Sequence, residues 1–282
     1  MEISPLSNAL GASVTGVDIG KINQDQFAEI HRAFLDYQLL VFREQQLDAE
    51  AQIAFSKRFG PIETRPDRPF TLPGYPEVTI LSNRLIDDEP VGVISAGDFW
   101  HTDLSFGEIP CRVTFLYALE VAKEGGDTEW SNIYTAYDAL SDKMKERIAE
   151  LSCIHVFDRR RNKRTKVDTQ FIDKAEEVYG VTIPDAVHPM VRHHPETGRK
   201  SLYISPRFVV GIEGVDDDEA QSLLDELFEH QIRPEFRYRH RWRRGDLLMW
   251  DNPCLIHVGH GNIKPPGIRH MHRTMVLGDR PH

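Results

Sequence analysis

Cysteine is scarce in this chain of 282 residues: Cys111, Cys153 and Cys254 are odd in number and far apart. That excludes a disulfide scaffold or a cysteine-built zinc site and fits a reducing compartment. Long apolar runs are missing as well. No stretch approaches the roughly 20 apolar residues of a membrane-spanning helix, and the N-terminal residues carry no basic-then-apolar leader. A soluble, cytoplasmic protein without a membrane partner is the expectation. Positive charge is in deficit, with 34 Lys+Arg against 44 Asp+Glu and a net charge of −10. Bulk electrostatics therefore gives no route to nucleic acid. The basic run at 159–164 is the local exception and reads as a solvated loop. Repeats and low-complexity tracts are absent, and 40% apolar residues suffice for a sizeable core. One domain spanning 1–282 is expected.

What is present is a succession of short apolar strands and a few well-marked helices. Asn23 can cap a helix whose apolar positions are Phe27, Ile30, Phe34 and Leu35. Asp48-Ala49-Glu50 opens another, with Ile53, Ala54 and Phe55 inward and Gly60-Pro61 as the stop. Helix signals return over 133–151, with Ser141 as an internal N-cap candidate. The strongest helix is predicted from Asp216 to Gln231, where Ala220, Leu223, Leu224, Leu227 and Phe228 form one stripe. Residues 61–77 hold five prolines and read as a loop, as do 82–98; 158–185 is a charged segment read as loop with a helical turn. Strands dominate elsewhere, notably 113–119, 247–251 and 270–277. The pattern predicts a mixed α/β chain with a mainly β core, a double-sheet jelly-roll or cupin-like arrangement flanked by helices.

The candidate chemistry centres on Phe99-Trp100-His101-Thr102-Asp103-Leu104-Ser105-Phe106. Read as a strand, this run puts His101 and Asp103 on one face. An imidazole and a carboxylate side by side are two ligands for a divalent metal. A second histidine would complete the 2-His-1-carboxylate triad that suits non-haem Fe(II). A surface hydrogen-bonding pair explains the same two residues. His257, which follows an apolar strand and a turn, is read either as that third ligand or as a satisfied core histidine. Arg269 and Arg273 lie four apart, a spacing that places both on one face of a strand. Such a pair either binds oxyanions or pairs with this acidic protein's own carboxylates. Thr128, beyond a double glycine, is either a hydroxyl donor to an anion or an ordinary turn residue. Trp100, of opposite parity to the histidine and aspartate, is expected to pack into the core.

Together these pieces resemble the taurine and 2,4-dichlorophenoxyacetate dioxygenase family of Fe(II)/2-oxoglutarate enzymes. The likeness rests on Trp-His-Thr-Asp at 100–103, Gly-Gly-Asp-Thr at 125–128, Met-Trp-Asp-Asn at 249–252 with His257, and Arg269 with Arg273. It implies a double-stranded β-helix, and His101, Asp103 and His257 as iron ligands. Thr128 and Arg269 would hold the distal carboxylate of 2-oxoglutarate, Arg273 the anionic head of the substrate, and Phe208 a wall of its pocket. The cofactors implied are Fe(II), 2-oxoglutarate as co-substrate and O2. The reaction implied hydroxylates a small organic anion (an alkylsulfonate such as taurine, an alkylsulfate, or an aryloxy or other carboxylate) with release of succinate and CO2. A homo-oligomer, dimer or tetramer, is implied too. The chain departs from the taurine pattern at Gly97, where taurine enzymes have asparagine, and in its proline-rich loop, which has no histidine; Arg65 or Arg68 stand in the latter. Two other readings compete: a cupin-like metal-dependent hydrolase or isomerase using the same three ligands, and a non-catalytic small-anion binding protein.

Overall fold

In the computed structural model, residues 1–64, 70–94, 97–157 and 183–282 are described. The basic run at 159–164, most of the 158–185 segment, and Arg65 and Arg68 lie outside them. The chain opens with a hairpin of β1 (Glu2–Pro5) and β2 (Ala12–Thr15), the helix Gln24–Tyr37, β3 (Leu39–Phe42) and the helix Ala49–Lys57. Then come β4 (Thr71–Leu72), β5 (Tyr75–Ser82), and the short hairpin β6 (Leu85–Ile86) and β7 (Glu89–Pro90). The long β8 (Cys111–Glu120) and β9 (Thr128–Asn132) lead to helices Ile133–Asp138 and Asp142–Ile148. Next are β10 (Ser152–His155), β11 (Ala186–Pro189), β12 (Val191–His193), β13 (Lys200–Leu202), β14 (Val209–Ile212) and the helix Asp217–Gln231. The chain closes with β15 (Arg237–His240), β16 (Leu247–Asp251), β17 (Leu255–Gly259) and β18 (His270–Leu277).

Strands outweigh helices, as predicted, and two sheets position the site. The larger has eight strands in the order β1-β2-β3-β16-β8-β18-β5-β4; the smaller runs β15-β9-β17. Side-chain alternation explains their packing. Along β3, Leu39 and Val41 point into a cluster with Leu116, Trp130, Leu248, Trp250, Leu255 and Met271, so the larger sheet faces the smaller across it. Leu40 and Phe42 point the other way, to Ile30 and Phe34 of the first long helix and Phe55 of the second. Strands β3, β8 and β16 are therefore apolar on both faces, which is why they read as continuous apolar runs. A third cluster carries the helix Asp217–Gln231 on β10, β12, β13 and β14 through Leu223, Leu224, Leu227 and Phe228.

Four local expectations are revised. The run 99–106 is no strand: His101 makes a single bridge to His257, and 103–106 is turn, with Leu104 at φ 56°. The backbone there is satisfied by a side chain instead of a ladder, since the Asp103 amide donates to Asn252 Oδ1 at 3.1 Å. The 133–151 helix is two helices, because Ser141 caps a new start by accepting from the Met144 amide. Ala54 is exposed; Gln52 and Ser56 take the inward positions and hydrogen-bond toward Thr274 of β18. The proline-rich stretch 61–77 contains β4 and the start of β5, where Pro76 has no partner in the β18 register that begins at Thr79. Trp100 packs on Ile133, Tyr203 and Ile256, as expected.

Candidate active site

Among the described residues, one group of His, Cys, Asp and Glu side chains could hold a metal ion: His101, Asp103 and His257. One ligand atom of each lies within 4.8 Å of the others, and all three residues are buried. Two elements set this up. His101 and His257 form a reciprocal backbone pair, amide to carbonyl in both directions at 2.9 and 2.7 Å. Residues opposed in that way project to the same side, and the two imidazole centroids stand 4.2 Å apart. The turn that follows brings Asp103 back to them. Its Oδ1 is 3.7 Å from His101 Nε2, and its Oδ2 is 3.8 Å from His257 Nε2.

Protonation suits metal binding at each position. His101 Nδ1 lies 2.8 Å from the Phe99 carbonyl, so it carries the proton and leaves Nε2 as a lone pair for the ion. Burial, reinforced by His101, pushes His257 down to about 3, keeping it neutral. Burial alone would raise Asp103, but His257, His101 and Arg273 outweigh it and hold the carboxyl well below the usual carboxylate range. Two imidazoles and one carboxylate, with no further His, Cys, Asp or Glu ligand grouped with them among the described residues, are a donor set that fits Fe(II). His257 Nδ1 is buried without a partner.

Behind the carboxylate lies an arrangement that sequence reasoning missed. Thr114 of β8 donates to Asp103 Oδ2 at 2.6 Å and accepts from Asn252 Nδ2 at 2.9 Å. Asn252 Oδ1 accepts the Asp103 amide, and the Asn252 carbonyl accepts the Thr102 hydroxyl at 2.8 Å. Since the Asn252 amide donates to Thr114, the threonine proton goes to Asp103 at 2.6 Å, ahead of the weaker Cys111 sulfur acceptor at 3.4 Å. A threonine inside the otherwise apolar Val113-Thr114-Phe115-Leu116 run was the available signal, and Asn252 was visible only as part of a motif.

The remaining candidates fall into two groups. Thr128, on β9, accepts from the indole of Trp242 at 3.0 Å, which frees its own hydroxyl proton to donate elsewhere. The Arg269 guanidinium lies 5.9 Å from the Trp242 ring and against Gly126, where a Cβ would meet Arg269 Cδ at 3.1 Å. Its Nε is buried without a partner, and burial pushes the guanidinium down to about 10, so it stays charged. Thr128, Arg269 and the unanticipated Trp242 thus converge. Arg273, inside β18, instead reaches the cluster of His101, Asp103 and His257, with Nη1 3.8 Å from Asp103 Oδ1. Phe208 stands edge-on to His101 with centroids 6.1 Å apart and packs on Phe106. Gly97, at φ 78°, lies over the same histidine, and a Cβ there would meet His101 Cε1 at 2.9 Å.

The family model described as "Taurine catabolism dioxygenase TauD, TfdA family" matches residues 2–275. The chain is 33% identical to a (S)-phenoxypropionate/alpha-ketoglutarate-dioxygenase of Sphingobium herbicidovorans, with 91% of this chain and 88% of the relative covered. It is 36% identical to an alpha-ketoglutarate-dependent 2,4-dichlorophenoxyacetate dioxygenase of Cupriavidus pinatubonensis, with 91% of each covered. The crystal structure of a taurine dioxygenase from Burkholderia xenovorans superposes with a TM-score of 0.83 at 32% identity, covering 99% of this chain and 90% of that one.

Proposed function

The chain belongs to the TauD, TfdA family and is an oxidoreductase that uses Fe(II), 2-oxoglutarate and O2; from that premise we propose that it hydroxylates a small organic anion carrying an aromatic group, an aryloxy carboxylate before an alkylsulfonate. In this reading the two facing sheets are the halves of a double-stranded β-helix within one domain, 1–282. Family membership selects the oxidoreductase over the hydrolase, isomerase and binding-protein readings.

The observation that carries the proposal is the buried convergence of His101, Asp103 and His257 with the Arg273 guanidinium 3.8 Å from the carboxylate. The two histidines and Asp103 hold the iron. When bound, the iron with 2-oxoglutarate and O2 supplies the oxidising power that converts a substrate C–H to C–OH as 2-oxoglutarate becomes succinate and CO2. The protein binds and orients. Arg269 grips the distal carboxylate of 2-oxoglutarate as a planar cation, and Thr128 donates its hydroxyl proton to the same group. Arg273 pairs with the anionic head of the substrate beside the ligand cluster. Leu104, Phe106, Phe208 and Met275, with Phe157 packed against them, form an apolar wall next to His101, suited to a flat ring rather than an aminoethyl chain. Gly97 favours the same choice: the ring of His101 leaves no room for a side chain where taurine enzymes have asparagine, so the chain offers no polar side chain at that position. The relatives named as phenoxypropionate and 2,4-dichlorophenoxyacetate dioxygenases support an aryl substrate.

The test is to add Fe(II) and 2-oxoglutarate anaerobically and look for the visible charge-transfer band of the iron–keto acid chelate, then titrate phenoxyacetates, alkylsulfates and taurine. A band whose position shifts most with aryloxy carboxylates is expected. A larger shift with taurine would reverse the substrate order, and iron binding with no band would defeat the reading of the site.

A further inference from the structure

A second buried polar cluster lies beyond the site, on the far side of the turn that carries Asp103. Arg192 is only 2% exposed. Its Nε and Nη1 have no hydrogen-bond partner, and no carboxylate among the described residues pairs with it. Its guanidinium sits 4.8 Å from the centre of the Tyr203 ring. Tyr203 is 1% exposed and its hydroxyl is unpartnered, as are both ring nitrogens of the fully buried His155, Nδ1 of His188 and the hydroxyl of Ser105.

Sheet register explains the gathering. Arg192 opposes Ser201, and Tyr203 lies two residues beyond Ser201, so both face the same way. His188 opposes Cys153, and His155 lies two residues beyond Cys153, which again gives one face. The His155 centroid is 5.0 Å from that of His188 and 5.9 Å from that of Tyr203. His188 Nε2 is 3.0 Å from the carbonyls of both Ser105 and Gly107, so it carries a proton shared between them and fastens the cluster to the turn after Asp103.

A buried guanidinium without a counter-charge is among the most unfavourable arrangements a core can hold, and unpartnered hydroxyls and imidazoles beside it add to the burden. Water would satisfy hydrogen bonds but leave the charge standing. We propose that Arg192, Tyr203 and His155 form an internal binding site for a small monovalent anion, chloride or another halide, held behind the metal-binding turn to which His188 fastens it. The charge count agrees: burial lowers both His155 and His188, which favours their neutral forms, and Arg280 is exposed and paired with Glu108, so the buried charge of the cluster is that of Arg192 and one negative charge balances it. The His155, His188 and Tyr203 rings stand 5.0, 5.9 and 6.0 Å apart, centre to centre, and such close spacing favours a monatomic ion over a larger oxyanion.

The experiment uses the whole chain. Crystals grown with sodium bromide and measured above the bromine absorption edge should show an anomalous peak within hydrogen-bond reach of Arg192 Nε and Nη1. In parallel, the melting temperature should rise with bromide or chloride relative to gluconate at equal ionic strength. Tyr203→Phe, which keeps the ring and removes one donor, should need about ten times more halide for the same rise; Arg192→Met should abolish the halide response. The absence of an anomalous peak in the cluster, whatever surface peaks appear, overturns the proposal. So does a halide response unchanged in Tyr203→Phe, the variant whose packing is intact.

Discussion

The unit of design at the residue scale is the hydrogen bond that leaves an atom only one job. The Phe99 carbonyl accepts the proton of His101, and Asp103 accepts that of Thr114. Thr114→Val keeps shape and burial but removes the donor to Asp103 Oδ2. Lost partners of this kind typically weaken metal binding about 10- to 100-fold. An iron titration of the folded variant checks this, and unchanged affinity would show that the threonine is only packing. The two arginines divide their work by position. Arg269→Ala is expected to weaken 2-oxoglutarate binding strongly, since truncating a desolvated charge pair costs about 2–5 kcal/mol. Arg273→Ala is expected to spare 2-oxoglutarate and uncouple its consumption from substrate hydroxylation. Measuring 2-oxoglutarate affinity in both variants decides the assignment, because exchanged results mean exchanged roles.

Elements differ in how plainly their sequences announce them. The helix Asp217–Gln231 begins and ends where its stripe and acidic first turn predict, with Asp216 accepting from the Asp218 amide. Its signal is local, a 3.6-residue period read within one window. Leu224→Ala, at a fully buried stripe position, is expected to cost about 2–5 kcal/mol, read as a lowered denaturation midpoint at constant slope. The His-x-Asp run behaves in the opposite way. Its residue types announced the candidate ligands, but its shape depends on Asn252, 149 positions away, whose side chain replaces a strand partner for Asp103. No local pattern carries that information. Thr114 and Trp242 were missed for the same reason: each acts on a side chain more than ten positions away, Asp103 at 11 and Thr128 at 114. The grouping of His101, Asp103 and His257 was legible because the chemistry proposed for it needs particular residue types. The layer behind it was not, because ordinary residues serve there.

Across the whole molecule, burial of uncharged histidines sets the response to acid. His257 titrates near 3 and His272 near 4, both lowered first by burial, and His155 well below its ordinary value. In the unfolded chain these side chains take up protons near 6.5; in the folded one they do not. Between about 6.5 and 3 the unfolded state therefore binds more protons, and stability falls as pH falls. The metal-free protein is expected to lose melting temperature progressively from pH 7 to pH 4, as a calorimetric series would show. A flat profile would mean that the buried imidazoles are not held neutral.

The reciprocal pairing of residues 101 and 257 has one more consequence. Two imidazoles tied through their own main chains stand ready before any ion arrives, so capture asks for little rearrangement and gives little opportunity for discrimination. Such a socket ranks first-row ions by their intrinsic order, in which copper, nickel and zinc stand above ferrous iron. Purity of the metal must then be kept by supply, and protein purified without control of trace metals will carry the strongest-binding contaminant present.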